Sequence, residues 1–166
     1  MKKHMWVFFA IILIAITFLV LVIRRSILNK NCIKYIKDTA TTTDVIQAEN
    51  NLSKAIEYLE NNNLTKGNTG CFTKVSDDDI NAWYQTLKYY QSEFQKIIKD
   101  DIESYKGCYM ILNFQKEMLT SEGEVFYPEH LEIYPYQLIW NIVFIISIVI
   151  FVISYISWMK EVGMMM

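Results

Sequence analysis

The chain has 166 residues, 52 % of them hydrophobic, and a formal net charge of −2; it carries no basic stripe of the kind that tracks a phosphate backbone, so no nucleic acid partner is expected. It has two histidines, His4 and His130. No base, nucleophile and metal-ligand set converges around them, so no catalytic residue, metal site or cofactor is expected.

Met1 to His4 is a short basic tail carrying Lys2 and Lys3. The run Met5 to Ile23 is apolar except for Thr17; as a helix it reaches roughly 28 Å, close to the hydrocarbon thickness of a bilayer. A signal peptide has a shorter apolar core and a small-residue cleavage site, whereas Arg24 and Arg25 follow here, so an uncleaved anchor is expected. Residues 24–38 keep Ile27, Leu28, Ile33 and Ile36 without Gly or Pro, which predicts that the helix continues as an amphipathic stalk.

Thr39, Thr41, Thr42 and Thr43 make a poor helix interior, and Asp44 with Gln47 reads as a capping box opening a second helix over 44–60. Its Val45, Ala48, Leu52, Ala55, Ile56 and Leu59 recur at three- and four-residue steps. Asn61 to Val75 is a long Asn-, Thr- and Gly-rich loop that lacks the spacing of a phosphate loop. Ser76 with Asp79 reads as a second capping box, starting a helix over 77–105. Its Ile80, Trp83, Leu87, Tyr90, Phe94, Ile97, Ile98 and Ile102 form a near-heptad, coiled-coil-like seam. Asp77, Asp78 and Asp79 lack the ligand spacing of a calcium loop.

Gly107 reads as a break before a fourth helix over 108–120, with Met110, Ile111, Phe114, Met118 and Leu119 inward. Pro128 and Pro135 mark an extended connector, and Tyr134, Tyr136 and Trp140 an interfacial belt. Residues 137–159 are a second span, and 160–166 a short tail. The expected fold class is therefore all-α: two transmembrane helices flanking an antiparallel four-helix bundle over 24–136. Ala10 and Thr17 on the first span, and Ser147 and Ser154 on the second, give each a small face for close packing within or between chains.

A continuous rod of roughly 40 Å would separate Cys71 from Cys108, whereas Cys32 and Cys71 fall near one end of the bundle. A disulfide between Cys32 and Cys71 is thus permitted, with free buried thiols the commoner alternative.

The segment Ala48 to Phe94, with Tyr58-Leu59-Glu60-Asn61-Asn62-Asn63-Leu64-Thr65 and Asp77-Asp78-Asp79-Ile80 leading into Trp83-Tyr84 and Leu87-Lys88, resembles a segment of uncharacterised bacterial membrane proteins. The layout of span, helical bundle and span also resembles the sensory half of bacterial chemoreceptors and sensor kinases. No output domain is expected after Lys160, so the resemblance implies output through a partner. It implies a bacterial inner membrane. Lys2, Lys3 and Lys160 compete with Arg24, Arg25, Lys30, Lys34 and Lys37 for orientation; because charge weighs little across a long segment, the bundle is expected outside the cytoplasm with both termini inside.

The expected function is non-enzymatic: partner binding or self-assembly by the helical domain, in contact with the lipid bilayer. The proposed partner or ligand face is Trp83, Leu87, Tyr90 and Phe94. A small-molecule sensor with an aromatic pocket is the alternative, and a membrane-permeabilising effector a more distant one.

Overall fold

A computed structural model describes residues 2–70, 78–100 and 104–161. Among them every regular element is helical, and extended pairing is limited to the isolated bridges Asn68 with Asp79 and Leu119 with Val125. The elements are α1 (Lys2–Leu28), a π-helical turn (Asn29–Ile33), α2 (Lys34–Thr41), α3 (Val45–Asn61), α4 (Ile80–Lys99), α5 (Ser104–Met118) and α6 (Gln137–Glu161), with a short 3-10 turn at Leu131–Ile133. The chain divides into two compact units, Met1–Arg25 with Pro135–Met166, and Ser26–Tyr134.

In the first unit, α1 and α6 are long and apolar enough to cross a membrane. Phe18, Leu19, Ile145 and Ile153 stand exposed along them, a surface that water disfavours and hydrocarbon accepts. Thr17 and Ser147 are buried. Each hydroxyl donates within its own helix, Thr17 Oγ1 to the Leu13 carbonyl at 2.8 Å and Ser147 Oγ to the Val143 carbonyl at 2.7 Å. Those bonds remove the penalty of burying a hydroxyl among apolar groups.

The second unit is built on a face that begins with Leu28, Cys32, Ile36 and Ala40, all buried and each four residues from the next. An α-helix turns about 100° per residue, so each four-residue step overshoots by about 40° and the stripe would wind off the core. The wider π turn at Asn29–Ile33 takes up that drift. The helix also runs further than its β-branched sequence suggests, through Thr41. Thr39 is fully buried, its hydroxyl bonded to the Tyr35 carbonyl at 2.8 Å and within 3.3 Å of the Ala48 carbonyl. Packing against α3 overrides the weak intrinsic propensity.

Asp44 caps α3 by accepting from the Ile46 amide at 2.9 Å. Gln47 does not complete a reciprocal box; it accepts from the Thr42 hydroxyl, which in turn accepts from the Asp44 amide. At α4 the cap is Asp79, whose carboxylate accepts from the Asn81 and Ala82 amides. The helix therefore opens at Ile80 instead of Asp77, and the expected cap Ser76 lies outside the described residues.

Glu60 meets Tyr84, Ser53 meets Gln91 and Glu49 meets Gln95, so α3 and α4 run in opposite directions in one fixed register. Tyr90 meets Glu117 and Phe94 packs on Phe114, which sets α5 against α4 in the same sense. Helix α4 ends at Lys99, short of the expected Tyr105. Gly107 lies inside α5 and is no break: a Cβ there would sit 3.0 Å from Val45 Cγ2, so the missing side chain lets α5 approach the start of α3.

The loop after α3 closes through the Thr69 amide donating to the Asp78 carbonyl and the Ile80 amide to the Gly67 carbonyl. Gly67 has φ +117° and lies against the ring of Tyr134. The connector after α5 turns back at once, Gly123 at φ +76° allowing the Phe126 amide to reach the Met118 carbonyl at 2.7 Å. Its Val125, Leu131 and Ile133 are buried, so it covers the core as well as linking two helices.

Candidate functional site

Trp83, Leu87, Tyr90 and Phe94 are all buried, Leu87 and Phe94 completely. The face expected to meet a partner or ligand is internal: helical spacing brings these residues into the core shared by α3, α4 and α5. Trp83 Nε1 donates to the Phe126 carbonyl at 3.0 Å, tying the connector over one end of the seam. Tyr90 and Phe114 meet edge to face with centroids 5.0 Å apart, and Phe94 lies 6.2 Å from Phe114. The rings pack against one another within the core of the second unit.

Two phenols on α4 are held protonated. Tyr90 donates to Glu117 Oε2 at 2.6 Å, and burial, then that hydrogen bond and the glutamate charge, push its phenol well above the ordinary range. Tyr84 donates to Glu60 Oε1 at 2.6 Å, which Lys88 approaches at 3.6 Å. Partial burial first, then Glu60, raise the Tyr84 phenol to about 12. A phenol with a raised folded pKa contributes stability that is fully present below its unfolded pKa of about 10 and is lost as pH rises toward the folded value. Stability is therefore expected to fall between about pH 10 and 12, with two tyrosinate signals appearing late in an ultraviolet titration. In Tyr84→Phe/Tyr90→Phe those late steps vanish; their persistence would contradict the assignment.

The outward surface has a feature that the apolar pattern of α5 partly hides. Tyr105, Tyr109 and Leu112, four and three residues apart, are 63 %, 64 % and 48 % exposed, a second apolar stripe beside the inward Ile111, Phe114 and Met118. The same spacing is present in the sequence, masked there by the stronger inward set. Near the start of α5, an open cleft of about 340 Å³ is lined by Asp44, Val45, Ile46, Ile97 and Cys108. Ile46 is itself exposed.

Cys32 is fully buried among the core residues, and Cys108 is exposed. Cys71, the permitted disulfide partner of Cys32, lies outside the described residues. In the native chain a maleimide is expected to modify Cys108 within minutes and Cys32 only after denaturation, since reactivity requires access to the thiolate. Peptide mass spectrometry reads this directly, and native labelling of Cys32 at the rate of Cys108 would refute the burial.

Of the small-faced span residues, Thr17 and Ser147 are buried and Ser154 half-buried, while the Ala10 side chain lies outside the described ones. Among the described residues, no three His, Cys, Asp or Glu side chains gather as a metal site would require. No protein-family model, curated protein or solved structure matches the chain.

Proposed function

We propose that the chain is a non-enzymatic integral membrane protein in which α1 and α6 span the bilayer and flank an antiparallel four-helix bundle that binds a protein partner or a second copy of itself. The observation that carries the reading is the division of labour between two units. One presents exposed Phe, Leu and Ile along helices of spanning length. The other buries its own aromatic seam and leaves Tyr105, Tyr109 and Leu112 outward, an arrangement suited to association and not to chemistry.

The proposed location is a bacterial inner membrane, with the bundle outside the cytoplasm and both termini inside. Exposed Cys108 supplies the test. In intact cells expressing the Cys32→Ala/Cys71→Ala variant, a membrane-impermeant maleimide labels Cys108 without permeabilisation if the bundle is outside. Labelling only after permeabilisation would place the bundle in the cytoplasm. Association is read from the mass of the detergent-solubilised full chain: a dimer or larger favours self-assembly, and a monomer that co-purifies with a second chain favours a heterologous partner. A small-molecule sensor is the second reading, favoured by the cleft beside Asp44 and Cys108. It would require ligand-induced thermal stabilisation of the full chain.

A further inference from the structure

The membrane unit carries an excess of basic residues, two of them adjacent where the apolar run of α1 ends. Arg24 and Arg25 close the apolar run of α1, and both are exposed. The chain segments of this unit hold one acidic residue, Glu161, the last residue of α6. Among the described residues no ion pair reaches either arginine.

Two adjacent guanidinium groups placed where a spanning helix leaves hydrocarbon sit at the depth of lipid phosphates. Each offers a planar fork of donors that matches a phosphate oxygen pair, which a lysine does not. Tyr136, exposed just before α6, and Trp140, half-buried in its first turn, add the residue types that settle in the headgroup layer.

We infer that Arg24 and Arg25 form a binding site for anionic phospholipid headgroups, holding phosphatidylglycerol or a lipid of like charge against the end of α1. This rests on α1 spanning the bilayer. The attraction of a basic residue to an anionic leaflet amounts to about a fivefold preference per arginine. The pair therefore selects its lipid neighbours while neutral lipid covers the rest of the span.

The test uses the full-length chain in nanodiscs of equimolar phosphatidylcholine and phosphatidylglycerol, with native mass spectrometry of the lipids that stay bound on release. The wild-type chain is expected to retain phosphatidylglycerol in several-fold excess. Arg24→Gln/Arg25→Gln lowers that excess several-fold, the remainder being held by Lys2, Lys3 and Lys160 at the other end of the spans, and Lys99→Gln/Lys106→Gln, an equal loss of charge from exposed positions of the other unit, leaves the excess in place. An excess that is undiminished in Arg24→Gln/Arg25→Gln, that is absent from wild type, or that falls equally in the lysine variant would overturn the inference. Flotation of each variant with liposomes after alkaline extraction is scored separately. A wild-type chain that fails to float denies the span, whereas one that floats without lipid preference denies only the arginine site.

Discussion

Replacing Phe94 with Ala is expected to destabilise the helical unit by about 3 to 5 kcal/mol, a large share of the roughly 5 to 15 kcal/mol that holds a domain folded. Phe94 is fully buried and lies within ring contact of both Tyr90 and Phe114. Truncation removes its transfer free energy and leaves a void between α4 and α5 that neighbouring rings fill only in part. The measurement is urea unfolding of the full chain in micelles, followed by fluorescence of Trp83 in a variant where it is the sole tryptophan. Gln85→Ala, at an exposed position of α4 outside the Tyr105–Leu112 stripe, is the control, and it should change stability by no more than about 0.5 kcal/mol. Equal effects at the two positions would show that the seam is not the core.

Gly67→Ala should be nearly as damaging, for a different reason. At φ +117° a side chain is strained by about 1 to 3 kcal/mol before any contact is counted. The added Cβ would also fall 2.0 Å from Tyr134 Oη and 2.6 Å from its Cζ, so the tyrosine must leave its place against the loop. Tyr134→Ala removes that clash and leaves the backbone strain. The double variant is therefore expected to be more stable than the sum of the two single losses predicts, by about 1 to 3 kcal/mol. Strict additivity would mean that loop and connector do not meet as described.

Much of the core of the second unit was legible because its residues repeat at helical steps: Leu52, Ala55, Ile56 and Leu59 on α3, and Trp83, Leu87, Tyr90 and Phe94 on α4, are all buried. The same rule misplaced Ile98, which is 38 % exposed in the last turn of α4. What escaped the pattern was decided by tertiary contact. Leu28, Cys32, Ile36 and Ala40 follow a four-residue period that the α-helical template does not anticipate, and the π turn answers it. Gly107 looks like a breaker in sequence, yet its close approach to Val45 gives it a packing reason inside a helix. Ser76 and Asp79 are both capping residue types, and sequence spacing does not decide between them. The candidate surface was the least legible part: an aromatic seam reads the same whether it meets a partner or its own chain, and burial alone distinguishes the two.

The pairing of α3 with α4 bears on how the domain can move. Glu60 with Tyr84, Ser53 with Gln91 and Glu49 with Gln95 all belong to one register. Sliding one helix past the other by a turn, about 5.4 Å, would break all three at once and draw Leu52 and Leu87 out of their places. Piston motion between these two helices is thus blocked by several small penalties that fall due together. The α3–α4 pair is therefore expected to tilt or rotate as a single lever, its two helices keeping their register.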